Sequence, residues 1–270
     1  MFNFLHNFVP QSILFQAGFL TIHWYGLFVV SGIIAGLVIV LKLAKQKGIE
    51  SDEVYNLGFY VVISAIVGSR VYAVFLDLPF YLQNPFEIVA VWHGGLAIHG
   101  GVIGGVLAGL IYTIRKKQSF WSWADIIAPA LPLGQAIGRW GNYFNQELFG
   151  TPTSLPWGIP IELQNRPIEF LSSQYFHPTF LYESLLNLIN FAILFLLIGK
   201  REKLGLKSSG SIFLIYLINY SVIRILMENL RTDATPEVWG LRLPIAVSLG
   251  VIIVSANLFV VKFLRSKKTR

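Results

Sequence analysis

The sequence predicts an all-α integral membrane protein with seven transmembrane helices, and three observations lead to this fold class. The 270 residues are 54% hydrophobic and only 13% charged, whereas a soluble domain is typically about 25% charged. Apolar runs of the roughly 20 residues that a helix needs to cross a bilayer recur along the chain. Most basic residues, finally, are confined to alternate connections between these runs.

The apolar runs define the predicted spans and the domain organisation. The spans are residues 19–41, 54–77, 95–114, 122–142, 178–199, 210–230 and 242–263. No internal repeat is visible, so we expect a single polytopic membrane domain over 1–270. The longest stretch that is not apolar, 143–177, is too small to fold independently. It is predicted to be a small extracytoplasmic head inserted between helices 4 and 5.

The positions of the basic residues predict the orientation. All 11 lysines fall within four segments that follow predicted helices 1, 3, 5 and 7: 42–47, 116–117, 200–207 and 262–268. Four arginines bring these segments and their flanks to 15 of the 21 basic residues. Because basic loops stay in the cytoplasm, the N-terminus is predicted outside and the C-terminus in the cytoplasm. The net charge of +7 therefore indicates topology and attraction to anionic lipids, and no nucleic-acid partner is expected.

Two absences narrow the chemistry. No basic residue precedes Lys42, so the first apolar run is expected to be a permanent helix and not a secretory signal. The chain contains no cysteine. A thiol that takes part in the reaction must therefore belong to the substrate.

The six basic residues outside the four lysine segments and their flanks are all arginines: Arg70, Arg139, Arg166, Arg224, Arg231 and Arg242. A charged side chain in the middle of a bilayer costs about 2.5–3.5 kcal/mol on insertion scales, so several of them require partners or a water-filled cavity. Arg70 precedes Asp77 by two helical turns, and an ion pair between them is one expectation.

The segment 138–150, GRWGNYFNQELFG, carries the strongest functional signal. It places Arg139 at the end of an apolar span and follows it with Asn142, Gln146 and Glu147. A guanidinium beside glycines is suited to hold a phosphate, because it can donate two parallel hydrogen bonds. The alternative is an arginine that merely extends to the membrane surface.

A second charged group is predicted on helix 6. Arg224, Glu228 and Arg231 are spaced by four and three residues, so they are expected on one helix face. This ladder either neutralises itself or leaves one positive charge for an anion.

His99 and Tyr25 begin predicted helices 3 and 1 on the outer side. His99 is either a structural side chain or a proton acceptor at neutral pH. Tyr25 is either an aromatic anchor at the membrane surface or a ligand of a lipid headgroup. Tyr182 and Glu183 extend the same polar layer into helix 5. No third ligand accompanies the His93 and His99 pair at metal-binding spacing, so no metal site is expected.

Four segments, in order along the chain, resemble the bacterial prolipoprotein diacylglyceryl transferase family: WYG at 24–26, HGGLAIHGG at 93–101, GRWGNYFNQE at 138–147 and HPTFLYE at 177–183. The charged ladder on helix 6 resembles a late helix of the same family. The resemblance covers residues 20–264.

The resemblance implies an enzyme of the bacterial cytoplasmic (inner) membrane whose active site faces the extracytoplasmic side. It would transfer the diacylglyceryl group of phosphatidylglycerol to the lipobox cysteine of a prolipoprotein, which is the first step of lipoprotein maturation. A thioether forms and glycerol phosphate leaves. The implied partners are phosphatidylglycerol, the lipobox segment and membrane lipids, and no cofactor is implied. The family positions of functional importance correspond to Tyr25, His99, Arg139, Asn142, Glu147, Gly150, Arg224 and Glu228.

Roles follow from this chemistry as hypotheses. Arg139 and Arg224 would clamp the phosphate, with Arg231 in the same layer, and His99 would accept the thiol proton. Tyr25 and Asn142 would orient the headgroup. Glu147 and Glu228 would hold the arginines in place rather than act as bases.

Two other function classes remain open on residues alone. A transporter or channel for an anion or lipid would also place arginines inside a bundle. It should carry polar groups to the cytoplasmic side and often contains inverted repeats, whereas here the polar layer is predicted on one side only. A membrane scaffold would leave the arginine, asparagine and glutamate groups unused.

Overall fold

The computed structural model of the chain describes residues 2–18 and 20–268, and this part of the chain is mostly helical. Its helices are α1 (Phe2–Asn7), α2 (Trp24–Gln46), α3 (Ser51–Leu76), α4 (Leu78–Gln83), α5 (Ile98–Arg115), α6 (Phe120–Ile127), α7 (Ala130–Phe144), α8 (Thr179–Gly199), α9 (Ser211–Glu228) and α10 (Leu243–Lys268). Short antiparallel hairpins accompany them: β1 (Ile13–Ala17) with β2 (Leu20–His23), β3 (Ile159–Pro160) with β4 (Tyr175–Phe176), and β5 (Glu237–Val238) with β6 (Leu241–Arg242).

The chain divides into two compact units. The first unit comprises Met1–Ile39 and Ala124–Arg270, and the second comprises Val40–Trp123. Helix α2 begins in the first unit and ends in the second, and α6 begins in the second unit and ends in the first.

Within the described residues, six helices are long and apolar enough to cross a membrane: α2, α3, α5, α8, α9 and α10. They correspond to six of the seven predicted spans. The predicted continuous helix over 122–142 is wrong, because a turn at Ala128 and Pro129 separates α6 from α7. Pro129 has no backbone N–H, and its ring obstructs the carbonyl group four residues earlier, so α6 ends before it.

In the second unit, α3 and α5 pack with their backbones in contact. A methyl group built on Gly100 would lie 2.2 Å from the carbonyl oxygen of Gly68, and one on Gly104 would lie 2.2 Å from that of Ser64. Small residues let helices approach this closely in a membrane, where packing rather than the hydrophobic effect holds helices together. The backbone of α3 occupies the space beside Gly100.

Arg70 of α3 orders the loop that leads to α5. The expected ion pair with Asp77 is wrong. The buried guanidinium donates instead to five backbone carbonyl groups of this loop: Glu87, Ile88, Ala90, Gly94 and Gly95. Its charge also lies 5.1 Å from the centre of the Tyr81 ring. One side chain thus supplies the hydrogen bonds that this non-helical backbone needs.

In the first unit, α7 packs on α8, α8 on α9, and α9 on α10. The fully buried carboxylate of Asp125 in α6 accepts hydrogen bonds from the backbone N–H groups of Gly210, Ile212 and Phe213 at 2.9–3.1 Å. It therefore caps the first turn of α9 with a negative charge, where the helix dipole favours one.

The predicted head, 143–177, shares its core with the N-terminal segment, which the sequence did not predict. Its buried apolar side chains are Leu5, Tyr143, Phe149, Ile159, Ile161, Phe176, Phe180 and Leu181. The first predicted span also begins too early, because Leu20–His23 form β2.

Gln146 joins the head to the N-terminal segment. Its backbone φ is +52°, a left-handed conformation that costs a residue other than glycine about 1 kcal/mol or more. Its buried amide compensates: Nε2 donates to the Pro10 carbonyl at 2.8 Å, and Oε1 accepts from the Glu162 N–H at 2.7 Å and from Asn165 Nδ2 at 3.3 Å.

The contact between α3 and α5 gives a first prediction. Gly104→Ala should destabilise the protein by about 1–3 kcal/mol, because the added methyl group overlaps the Ser64 carbonyl oxygen. Gly58→Ala is the matched control on α3, since a methyl group there meets nothing within 4 Å. Thermal unfolding in detergent measures the stability of both variants. Equal melting temperatures for Gly104→Ala and Gly58→Ala would contradict the backbone contact between α3 and α5.

Candidate active site

Arg139 lies on α7 and is held from two sides. Its Nη1 donates to Oδ1 of Asn142 at 3.0 Å, and its Nη2 donates to Oε1 of Glu183 on α8 at 2.5 Å. Glu183 is only 2% exposed, and a buried carboxylate needs such a counter-charge. The sequence placed Glu183 in the polar layer but did not pair it with Arg139. The available signal was that Glu183 is the only acidic residue of α8.

The hydrogen-bond chain continues from Asn142 to Glu147. Asn142 Nδ2 donates to Oε1 of Glu147 at 2.7 Å, and Asn145 Nδ2 lies 3.4 Å from the same oxygen. Glu147 was expected to hold an arginine, and this is wrong: it orients Asn142. Helix α7 ends at Phe144, so the exposed Glu147 folds back onto the helix end.

Tyr25, at the start of α2, packs against Gly141. A methyl group on Gly141 would lie 2.8 Å from Cδ2 of Tyr25, so glycine allows Tyr25 to lie beside the residue preceding Asn142. An open cavity of about 520 Å³ adjoins this contact. Its polar lining includes His23, Tyr25 and Asn145.

The charged group on α9 differs from the predicted ladder in one member. Arg224 Nη2 lies 2.8 Å from Oε2 of Glu228, as the four-residue spacing predicts. The second cation on Glu228 is Arg242, whose Nε lies 3.2 Å from Oε1, and not Arg231. Glu228 is fully buried and offsets part of the charge of both arginines.

Arg231 leaves the predicted helix face because α9 ends at Glu228. Its Nε lies 2.7 Å from Oδ1 of Asp233. Its backbone forms an antiparallel bridge with Gly150. A methyl group on Gly150 would lie 2.7 Å from Cβ of His177 and 3.0 Å from the Leu230 carbonyl oxygen. Glycine at 150 therefore lets the head join the segment that follows α9.

His99 belongs to the second unit. It is the second residue of α5, its side chain is exposed, and its ring centre lies 6.0 Å from that of Tyr72. His93 instead contacts the carboxylate of Glu87 at 3.0 Å. In the part of the chain that the structure describes, no group of three or more His, Asp or Glu side chains is placed to hold a metal ion.

Polar side chains reach further along the bundle than the one-sided layer that the sequence predicts. Gln135 Nε2 donates to the Tyr216 hydroxyl at 2.9 Å, linking α7 to α9. Asn219 Nδ2 donates to Asn190 Oδ1 at 2.9 Å, linking α9 to α8. Asn187 lies between Glu183 and Asn190 on α8 and is fully buried. The signal for Asn187 and Asn190 was their spacing from Glu183, four and seven residues along α8 and therefore on the same helix face.

Comparison with known proteins gives one family. The model of the prolipoprotein diacylglyceryl transferase family matches residues 12–261. A protein of a Nostoc species named phosphatidylglycerol–prolipoprotein diacylglyceryl transferase is 45% identical over 227 residues, which are 83% of this chain and 80% of the relative. Relatives of the same name from a Synechocystis species and from Prochlorococcus marinus are 43% and 38% identical and cover 90% and 95% of this chain, and 86% and 93% of their own lengths.

The contact between Arg231 and Asp233 predicts a pH effect on stability. Partial burial raises the pKa of Asp233, but the hydrogen bond and charge of Arg231 and the charge of Arg242 outweigh burial and hold the pKa below the usual 3.8. A carboxyl with a lowered pKa stabilises the fold above its unfolded pKa and loses that contribution as the pH falls through its folded value. Asp233→Asn should therefore cost about 1 kcal/mol near neutral pH.

The difference between Asp233→Asn and wild type should shrink as the pH falls through the lowered pKa of Asp233, because wild-type Asp233 then becomes protonated as well. Thermal unfolding at several pH values measures it. Asp77→Asn, at an exposed position at the end of α3, is the control substitution. A constant difference for Asp233→Asn would show that the charge of Asp233 is not what stabilises this segment.

Proposed function

The chain belongs to the prolipoprotein diacylglyceryl transferase family, and we propose that it transfers the diacylglyceryl group of phosphatidylglycerol to the lipobox cysteine of a bacterial prolipoprotein. This is a transferase reaction and the first step of lipoprotein maturation. Beyond family membership, the proposal rests on the environment of Arg139. Asn142 and Glu183 hold its guanidinium among apolar helices, and its Nε is buried. Within the described residues, Arg139 Nε has no hydrogen-bond acceptor.

The reaction is a displacement at carbon. The cysteine sulfur forms a bond to the terminal glyceryl carbon of the diacylglyceryl group, and the bond from that carbon to the phosphate oxygen breaks. The bonding electrons leave with glycerol phosphate, and the thiol proton passes to a base. A free thiol has a pKa of about 8.5, so deprotonation is one barrier. Stabilising the charge that develops on the departing phosphate is the other.

Arg139 and Arg224 are suited to stabilise the phosphate. A guanidinium has five N–H donors, and the contacts of Arg139 with Asn142 and Glu183 use two of them. Arg224 pairs with Glu228 through Nη2. Both therefore retain donors for a ligand while their carboxylates fix their orientation. Pre-oriented donors of this kind stabilise developing charge without rearranging during the reaction.

The group around Glu228 also has an excess of positive charge. Arg224, Arg231 and Arg242 share the carboxylates of Glu228 and Asp233. Three cations against two anions leave one positive charge, which suits a phosphodiester with a single negative charge.

Tyr25 and Asn142 are proposed to orient the headgroup. Asn142 is fixed from both sides, by Arg139 and by Glu147. Tyr25 lies at the cavity beside the end of α7. Gly150 and Arg231 support this arrangement, because their bridge ties the head to the end of α9.

His99 is proposed as the base that accepts the thiol proton. Imidazole is the side chain best suited to accept a proton and release it afterwards at neutral pH, and the ring of His99 is exposed. Arg70 orders the loop that precedes His99 in the second unit, which gives the start of α5 a defined backbone.

The topology completes the proposal. Helices α6 and α7 together form a seventh, broken crossing, so that the N-terminus lies outside and the lysine segments lie in the cytoplasm. Broken helices occur at membrane depth where protein buries their turn, and Ala128 is fully buried. The residues 143–177 then form an extracytoplasmic head, and the site faces that side of the bacterial inner membrane.

A transporter of an anion or lipid is the second candidate, and the buried amides of α7, α8 and α9 are the observation in its favour. Two of these amides, Gln135 and Asn219, donate to side chains of neighbouring helices, which is a role in packing. Membership of a transferase family favours the enzyme.

If Arg139 and Arg224 hold the phosphate, removing either guanidinium group should slow diacylglyceryl transfer. Arg139→Lys and Arg224→Lys should each reduce transfer by about 100-fold or more, because lysine keeps the charge but loses the paired donors. Arg166→Lys is the matched control in the head, where Arg166 donates only to backbone carbonyl groups, and it should keep near-normal activity.

The assay combines purified protein, phosphatidylglycerol and a lipobox peptide, and detects the added diacylglyceryl group by mass spectrometry. A peptide with serine in place of cysteine is the blank. Near-normal transfer by both Arg139→Ala and Arg224→Ala would refute the clamp.

The role of His99 predicts a change in the pH profile. His99→Gln should reduce transfer by about 100-fold near pH 7. The remaining activity should rise toward pH 8.5–9, where about half or more of the substrate thiol ionises unaided. His23→Gln, at the rim of the cavity, should keep the wild-type profile. If His99→Gln retained both rate and profile, another group would be the base, and the clamp could still stand.

A further inference from the structure

Side-chain hydrogen bonds link α7, α8 and α9 in the part of the bundle that precedes Arg139 on α7 and follows Glu183 on α8. Gln135 donates to Tyr216, and Asn219 donates to Asn190, each at 2.9 Å. Ser184 Oγ donates to the Ala136 carbonyl at 2.8 Å. These bonds connect each pair of the three helices.

Three buried amide atoms of α7 and α8 take no part in these bonds. Among the described residues, none hydrogen-bonds Gln135 Oε1, Asn187 Oδ1 or Asn190 Nδ2, although all three atoms are buried. Asn187 and Asn190 are 0% and 2% exposed. An unpaired buried polar atom is costly, particularly among apolar helices, so each of these atoms calls for a ligand. We define them, with their residues, as the amide cluster.

The amide cluster specifies the chemistry of its ligand. Two carbonyl oxygens, Gln135 Oε1 and Asn187 Oδ1, require donors, and Asn190 Nδ2 requires an acceptor. A phosphate or an ester carbonyl group cannot donate, and an ammonium group cannot accept. Hydroxyl groups do both. A pair of neighbouring hydroxyl groups therefore satisfies all three atoms.

The cluster lies within reach of a phosphate held by Arg139. Gln135 precedes Arg139 by four residues on α7, and Asn187 follows Glu183 by four on α8, so each is about 6 Å along its helix. Asn190 lies nearly one turn beyond Asn187, about 10 Å along α8 from Glu183. Asn187 Nδ2 also donates to the Glu183 carbonyl at 2.9 Å, which links the cluster directly to the partner of Arg139. A three-carbon diol attached to the phosphate spans about 6 Å, the distance to Gln135 and Asn187.

We propose that the amide cluster binds the two hydroxyl groups of the glycerol headgroup of the lipid substrate, and so makes the enzyme selective for a diol headgroup. This inference rests on the proposed function, since it adds headgroup recognition to the phosphate site. Buried groups that hydrogen-bond a hydroxyl discriminate strongly against ligands that lack it, because they are otherwise left unpaired.

The experiment compares phosphatidylglycerol with phosphatidylpropanol, which has the same three-carbon headgroup without hydroxyl groups. Wild type should transfer from phosphatidylglycerol at least about 100-fold faster at equal lipid concentration. Asn187→Leu should reduce this ratio by about tenfold or more, by slowing transfer from phosphatidylglycerol while the rate with phosphatidylpropanol changes little. Gln135→Leu should act in the same direction.

Asn257→Leu is the matched control, because Asn257 is an exposed asparagine of α10 that donates only within its helix. It should keep the wild-type ratio. Asn187→Ser, which retains a small polar group, serves if the leucine variant does not fold, and it should give an intermediate ratio. A ratio near 1 for wild type would overturn the proposal. So would an unchanged ratio in folded Asn187 variants, which would mean that the cluster holds only ordered water.

Lipid binding separates this proposal from the proposed function. Native mass spectrometry of the wild-type protein measures retention of each lipid without any peptide. If the protein retains phosphatidylglycerol over phosphatidylpropanol but never lipidates the peptide, the proposed transfer fails and the diol site stands. If it lipidates the peptide but retains both lipids equally and uses them at equal rates, the diol site fails and the transfer stands.

Discussion

A charge inside an apolar bundle must be matched by an opposite charge, and this requirement organises the first unit. Glu183 of α8 binds Arg139 of α7, and Glu228 of α9 binds both Arg224 and Arg242. Removing one member of a buried pair typically costs about 3–5 kcal/mol, because the other is left uncompensated. The ion pairs that would position a phosphate are therefore the same ones that join α7 to α8 and α9 to the start of α10. Under the proposed function, ligand binding and folding depend on the same side chains, so a substitution that removes one of these charges should weaken both.

The sequence was most informative where a property is local. Span length and hydropathy predicted six helices correctly, and the four-residue spacing predicted the contact of Arg224 with Glu228. The same local reasoning failed where a single residue interrupts a pattern, as Pro129 does in the span 122–142. It also assumed that α9 continues to Arg231, although hydropathy alone does not say where a helix ends. The head was predicted as an insertion, but its sharing of a core with residues near Leu5 involves parts of the chain far apart in sequence.

The pairing of charged side chains was the least predictable property, since it depends on which helices are neighbours. Glu183 and Arg242 were both visible as charged residues, yet assigning the first to Arg139 and the second to Glu228 requires the packing order of α7, α8, α9 and α10. The amides at Asn187 and Asn190 show the same limit. Polar residues in an apolar span signal a buried contact, but only the assembled bundle distinguishes bonds between helices from atoms that remain for a ligand. Composition therefore located the polar layer, and tertiary structure assigned its members.

The attachment of the N-terminal segment to the head has a consequence for biosynthesis. His6 Nδ1 contacts the Gly158 carbonyl at 2.8 Å across 152 positions of the chain, and Gln146 reaches Pro10 across 136. The ribosome synthesises α1 well before any of the surface on which it docks. The segment must therefore wait, undocked, until the head has been synthesised. Its docking is a late step of folding.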